Sequence, residues 1–198
     1  DPHRFTPYVL NLPRNTVLYG YYQSEQYFHP IRDMLRKELS LRNEPDETNQ
    51  KWKDRIEERR SVSVHVRRGD YTKRGLSLPN EYYRSAIRRL TRTNQSLHLF
   101  FFSDDIEWVN KNIKNIIPDY ISSNKISYVD HNDGQNAHED IRLMSCCKHN
   151  IIANSTFSWW GAWLNQNKEK TVFAPAYWLQ NRAENIDIIP ERWTVIDW

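Results

Sequence analysis

Two stretches of this chain carry residues able to hold a phosphate. His65-Val66-Arg67-Arg68-Gly69-Asp70-Tyr71 puts an imidazole, two guanidiniums and a carboxylate at the end of a short apolar run. A guanidinium grips a phosphate through two parallel hydrogen bonds, so an arginine leaving a strand is a candidate clamp. Asn154-Ser155-Thr156 opens the aromatic run Phe157 to Leu164. The free N–H groups and dipole of a helix start attract anions, and hydroxyls there add donors.

Side chains alternate along a strand, so Arg67 and Arg68 diverge. One can enter a crevice while the other packs or pairs elsewhere. His65 shares the face of Arg67, and His65, Arg67 and Asp70 could line one site. Plainer readings stand beside these. His65 could be a satisfied core histidine, Arg68 and Asp70 a structural ion pair, and Ser155 and Thr156 ordinary caps. Ser103-Asp104-Asp105 and Asp130-His131-Asn132-Asp133 also follow apolar runs. Carboxylates there can accept from guanine N–H groups or ribose hydroxyls. Asp104 is better read as a helix cap, and Glu139 and Asp140 as the acids expected in a first turn. Arg68-Gly69-Asp70 also spells an adhesion tripeptide, but it directly follows a buried-looking strand.

Several chemistries are missing from the text. There is no P-loop or dinucleotide fingerprint, no nucleophile elbow and no His/Cys cluster for a metal. The two cysteines are the adjacent Cys146 and Cys147, which neither pair readily nor form a zinc motif.

The elements that must position these residues follow from periodicity. Val62, Val64 and Val66 alternate with Ser63 and His65, which is a strand. Residues 97–102, 125–129, 149–153 and 171–174 read as further strands. Residues 79–91, 103–115, 137–147 and 156–165 read as helices, the last with Phe157, Trp160, Gly161 and Leu164 on one face. Trp159, Trp160 and Trp163 cannot all face one core. Residues 61–174 therefore alternate strand and helix, which predicts a Rossmann-like α/β domain: a mostly parallel sheet with helices on both faces. Right-handed crossovers favour the strand order 3-2-1-4-5. Ligands of such sheets bind beyond the strand ends where the order reverses, between strands 1 and 4. His65 to Asp70 and Asn154 to Thr156 meet there. Before this block, residues 15–22 read as a strand, 30–39 as an amphipathic helix, 42–50 as a polar loop and 51–60 as a charged helix with a solvated face.

Composition narrows the class. The chain has 198 residues, suited to one domain with an appendage. Lys and Arg number 28 against 25 Asp and Glu, a net charge of +3, which argues against nucleic acid as partner. A single-stranded nucleic-acid binder using basic and aromatic residues is the weakest reading. Aromatics are 13% of residues, suiting either ordinary packing or flat ligands. No apolar run approaches a membrane span, and the cysteine usage fits a reducing, cytosolic compartment.

At these residues the chain resembles the α-1,2-fucosyltransferases of glycosyltransferase family 11. The likeness runs from Tyr19 to Trp198. It includes Gly20 to Phe28, the His65 to Tyr71 stretch, Phe102-Ser103-Asp104-Asp105, Glu139-Asp140 leading to Met144-Ser145, and Lys148 to Trp163. The resemblance implies the donor-binding half of a GT-B glycosyltransferase, residues 61–198, preceded by a remnant of an acceptor-side domain and linker, residues 1–60. It implies GDP-fucose as donor, a terminal β-galactose as acceptor at its 2-hydroxyl, inversion, no cofactor and no required metal. Arg67 would hold the β-phosphate. His65 and Asp130 would meet the guanosine, and Asn154, Ser155 and Thr156 would hold the pyrophosphate, with Arg68 beside them. Asp70 is the candidate acceptor base. A bacterial-type cytoplasmic setting is expected, with peripheral attachment at the inner membrane face where the acceptor is lipid-linked. The family's glycine-rich opening segment is not among these residues, so the alternative is a non-catalytic fragment that binds GDP-sugar or glycan.

Overall fold

The computed structural model describes residues 4–92, 96–179 and 187–198. After 3-10 turns, α1 (Arg32–Glu38) and α2 (Glu47–Glu57) lead into β1 (Ser61–Val66). Then come α3 (Gly69–Lys73), α4 (Asn80–Thr91), β2 (His98–Ser103), α5 (Ile106–Ile116), β3 (Ile126–Val129) and α6 (Ala137–Cys146). β4 (His149–Ile151), α7 (Thr156–Leu164), β5 (Val172–Pro175) and β6 (Thr194–Ile196) complete the chain. The sheet order is β3-β2-β1-β4-β5-β6, with every pair parallel. The expected five-strand order holds, and β6 extends it. β6 has only three residues, too few for a period-two signal.

Alternation in β1 sets the two layers. Val62, Val64 and Val66 face a core with Tyr82, Tyr83, Ile87 and Val109 from α4 and α5. Ser63 and His65 face the other side, where small and polar residues let α6 and α7 come close. Asn150 of β4 donates to Ser63 Oγ at 2.7 Å and to the Met144 carbonyl at 2.9 Å. Gly161 of α7 sits so near α6 that an added Cβ would lie 3.0 Å from Met144 Cβ. β2 feeds both layers: Leu99 and Phe101 join the first core, Phe100 and Phe102 the second.

Five local readings change. Residues 15–22 form no strand. Asn15 and Tyr22 take left-handed φ of 68° and 48° at the two ends, and Val17, Tyr19 and Tyr21 are exposed. A lone segment has no neighbour to complete a ladder. α1 is shorter than expected, because residues 29–31 form a 3-10 turn. α2 starts at Glu47, inside the expected loop, because Asp46 caps it by accepting from the Asn49 N–H at 2.8 Å. Its face is not wholly solvated: Ile56 is buried in the α6 core, and Trp52 packs edge-on to Phe100. On α7 the buried set is Ser158, Trp159, Gly161, Ala162 and Trp163 rather than the expected face. Trp159 and Trp163 fill a core with β5, while half-buried Trp160 stacks on Phe28.

Candidate functional site

β1 and β4 pair only as far as Val64 and Ile151. Beyond that point the two strands part at the reversal of order, β1 continuing beside β2 to Val66, and the expected residues other than Asp130 cluster there. Arg67 is held from two sides. Its Nη2 lies 2.7 Å from Asp70 Oδ1 and its Nη1 3.0 Å from Asp104 Oδ2. A third of its side chain stays exposed. Arg68 takes the opposite direction, as alternation requires. Its guanidinium lies 3.5 Å above the Trp108 ring and its Nε 3.5 Å from Asp105. Arg68 is thus fixed by α5, not paired with Asp70.

Asp104 is not the cap of α5. Asp105 is, accepting from the Trp108 N–H at 3.1 Å. Asp104 instead accepts from the Arg68 N–H at 2.8 Å through Oδ1, while Oδ2 holds Arg67. Adjacent aspartates before a helix are equivalent caps in sequence, so only the fold separates them. Gly69 makes room for this carboxylate: a Cβ there would stand 2.4 Å from Asp104 Oδ2.

The second stretch is joined to the first by Tyr71. Its ring lies 5.3 Å from the Arg67 guanidinium, and its hydroxyl donates to the Asn154 carbonyl at 3.1 Å. Asn154 is buried, with Nδ2 donating to the carbonyls of Leu76 at 3.0 Å and Trp178 at 3.2 Å. Its Oδ1 is buried without a partner among the described residues. Ser155 is the N-cap residue of α7, yet its side chain makes no capping bond. Among the described residues no hydrogen bond is made by this hydroxyl, and the helix start keeps its free donors. Thr156 is exposed beside it.

His65 lies beneath this surface, 4% exposed, its ring 5.5 Å from that of Phe157. Burial, and then the Arg67 charge, lower its pKa to about 3, so the imidazole is neutral at physiological pH. Its Nδ1 has no partner among the described residues. Asp70 is half-exposed, and the Arg67 hydrogen bond holds its pKa down.

Asp130 stands apart from this group. It is exposed after β3, two strands from β1, and no described hydrogen bond or ion pair joins it to the others. Its neighbours form a network that sequence reading missed. His131 stacks on Trp52 at 5.6 Å and its Nε2 lies 2.9 Å from Asn49 Oδ1. Asn132 bonds both Asn49 and Asp140. Asp140 is not merely a first-turn acid: burial raises its pKa to about 6. Glu139 is buried against Arg142 at 2.9 Å. Among the described residues no group of His, Cys, Asp and Glu is placed to hold a metal ion.

The fold and this edge define a doubly wound α/β domain with a paired guanidinium and an uncapped helix start at its switch point. The chain belongs to glycosyl transferase family 11, whose pattern it matches over residues 6–197. It is 37% identical over 185 residues to an alpha-1,2-colitosyltransferase of Escherichia coli, covering 90% of this chain and 61% of that protein. It is 30% identical over 162 residues to galactoside alpha-(1,2)-fucosyltransferase 1 of Lagothrix lagotricha, covering 74% of this chain and 42% of that one. Among solved structures, the E. coli ADP-heptose lps heptosyltransferase II aligns with a TM-score of 0.48 at 12% identity, over 78% of this chain and 44% of that one. The chain thus spans less than two thirds of the length of these relatives.

Proposed function

We propose that this chain carries the donor-binding half of an α-1,2-fucosyltransferase that uses GDP-fucose. The observation that carries the reading is the pairing of Arg67 with the uncapped start of α7, joined through Tyr71. Each is a phosphate-holding device by itself, and together they suit a diphosphate lying across the switch point. The names of both relatives share the α-1,2 linkage, which supports that regiochemistry.

In the proposed reaction the 2-hydroxyl oxygen of a terminal β-galactose forms a bond to the anomeric carbon of fucose. The bond from that carbon to the diphosphate breaks on the opposite face, and its electron pair leaves with GDP. This single displacement inverts the centre and asks no metal of the chain. Negative charge grows on the departing diphosphate, where Arg67, the Ser155 hydroxyl, Thr156 and the α7 donors stabilise it. Asp70 and Asp104 keep Arg67 aimed before the substrate arrives. As a proton acceptor Asp70 is weak, because the arginine it holds lowers its pKa. We assign it the holding of Arg67 first and proton removal second. His65 Nδ1 and Asn154 Oδ1, buried and without a partner among the described residues, offer hydrogen bonds to the nucleotide. Asp130 is the outlying contact for guanine.

Calorimetric titration of the chain with GDP, GDP-fucose and ADP, with and without EDTA, tests the donor site. Selective binding of the guanine nucleotides that ignores EDTA is the expected result. Equal affinity for ADP would sink the reading. In the full-length enzyme, Arg67→Ala should lower kcat/KM on a β-galactoside by at least about a hundredfold, roughly 3 kcal/mol of transition-state stabilisation. GDP-colitose run beside GDP-fucose decides which sugar is preferred.

A further inference from the structure

The parallel sheet has a second edge, where its strands begin. α7 runs back from the switch point and ends there, at Leu164. β5 and β6 both start at this edge, so residues 165–172 and Arg192-Trp193 lie a full strand length from Arg67. Among the described residues, the charged groups that line one cavity at this edge are all basic. Arg32 and Arg36 of α1, Lys168 and Lys170 before β5, and Arg192 before β6 line one cavity of about 540 Å³. Among the described residues no Asp or Glu lines it.

Among the described residues, Asp33 and Glu25 pair with part of this charge. Asp33, largely exposed, lies 3.6 Å from both Arg32 and Arg36. Glu25 pairs with Arg192 and also accepts from Trp163 Nε1 at 3.1 Å. Lys170 is engaged by backbone, its Nζ donating to the carbonyls of Ala162 at 2.7 Å and of Asn165. Burial, then the charges of Arg192 and Arg36, lower its pKa to about 8. Trp193 also lines the cavity. It is 5% exposed, and its Nε1 has no acceptor among the described residues.

Clustered like charges repel, and a buried N–H without an acceptor is unfavourable. An anion seated in the cavity relieves the first, and an oxygen of it that reaches the Trp193 indole relieves the second. A phosphate group brings one to two negative charges and three strong acceptor oxygens, suited to guanidinium, ammonium and indole donors together. We propose that this cavity binds a phosphate-bearing anion at the edge opposite the donor site, supplied either as a soluble pyrophosphate or phosphate ester or as an anionic lipid headgroup. Ile31 and Met34, exposed next to Arg32 in the chain, supply apolar contact in the lipid case.

The test follows the Trp193 indole N–H resonance during titration with pyrophosphate. Three proteins are compared: the unaltered chain, the double variant Arg32→Glu with Lys168→Glu, and Arg67→Ala. Arg32 and Lys168 are exposed, so their replacement leaves the core alone. The resonance should shift in the unaltered chain and in Arg67→Ala with the same midpoint. In the double variant the midpoint should rise at least tenfold. A resonance that stays still, or moves equally in the double variant, overturns the proposal. Because Arg67→Ala alters only the donor edge, failure of the donor reading leaves this result interpretable. Co-sedimentation with vesicles of equal parts phosphatidylcholine and phosphatidylglycerol, abolished in the double variant, assigns the lipid source. Pyrophosphate binding without co-sedimentation assigns the soluble one.

Discussion

Asp104 shows what a single side chain can organise. One oxygen fixes the Arg68 backbone and the other fixes the Arg67 guanidinium, with Gly69 leaving the space between. Gly69→Ala forces that carboxylate to move, and the ion pair with Arg67 absorbs the displacement. Alanine also favours the first turn of α3 by up to about 1 kcal/mol over glycine. Thermal stability should therefore change little while GDP affinity falls about tenfold (roughly 1.4 kcal/mol). Calorimetry and thermal unfolding of the same variant check both halves. At this scale the place of the arginine motif was legible, because the end of a strand sets where its next residues leave the sheet. Its partner was not: Asp104 and Asp105 are interchangeable caps until the chain brings β1 and β2 side by side.

At the scale of elements, the alternation of strand and helix disclosed the sheet and its order, since that pattern has few right-handed solutions. The packing of α2 was hidden. Its charges dominate the text, while Ile56 and Trp52 carry its buried contacts. Through Asn49, α2 reaches His131 and Asn132 and so steadies the loop between β3 and α6. Asp140 closes this network with a pKa of about 6, above its ordinary 3.8. A raised carboxyl pKa favours the folded state below the unfolded value and withdraws that advantage as pH climbs through the folded one. The window is therefore about pH 4 to 6, and above it the ionised Asp140 is a burden of up to about 3 kcal/mol. Asp140→Asn should stabilise the protein by up to that amount at about pH 8 and by little at about pH 4. Thermal unfolding at the two pH values measures the difference.

Across the whole molecule, a net charge of +3 conceals segregation. The cations at the start of the strands share one cavity, while Arg67 and Arg68 at the far edge are matched by Asp70, Asp104 and Asp105. A bulk count cannot show this, because it averages over positions the fold sets apart. Two ligands at opposite edges should act independently, each stabilising by its own mass action. With GDP saturating the donor edge, pyrophosphate should raise the unfolding free energy further in the unaltered chain and not in the Arg32→Glu, Lys168→Glu double variant. Denaturant titration with each ligand and with both checks this. A combined effect no larger than either alone would mean one shared site.

The parting of β1 and β4 has a consequence for turnover. Past Val64 and Ile151 the backbone ladder stops. The gap is then bridged by the Tyr71 hydroxyl on the Asn154 carbonyl and by Asn154 Nδ2 on the Leu76 carbonyl. Each such bond contributes about 1 kcal/mol. Together they work as a latch on the mouth of the crevice. Under the proposed function it is firm enough to keep the site in register between turnovers, yet weak enough to let a spent diphosphate escape while the sheet below stays shut.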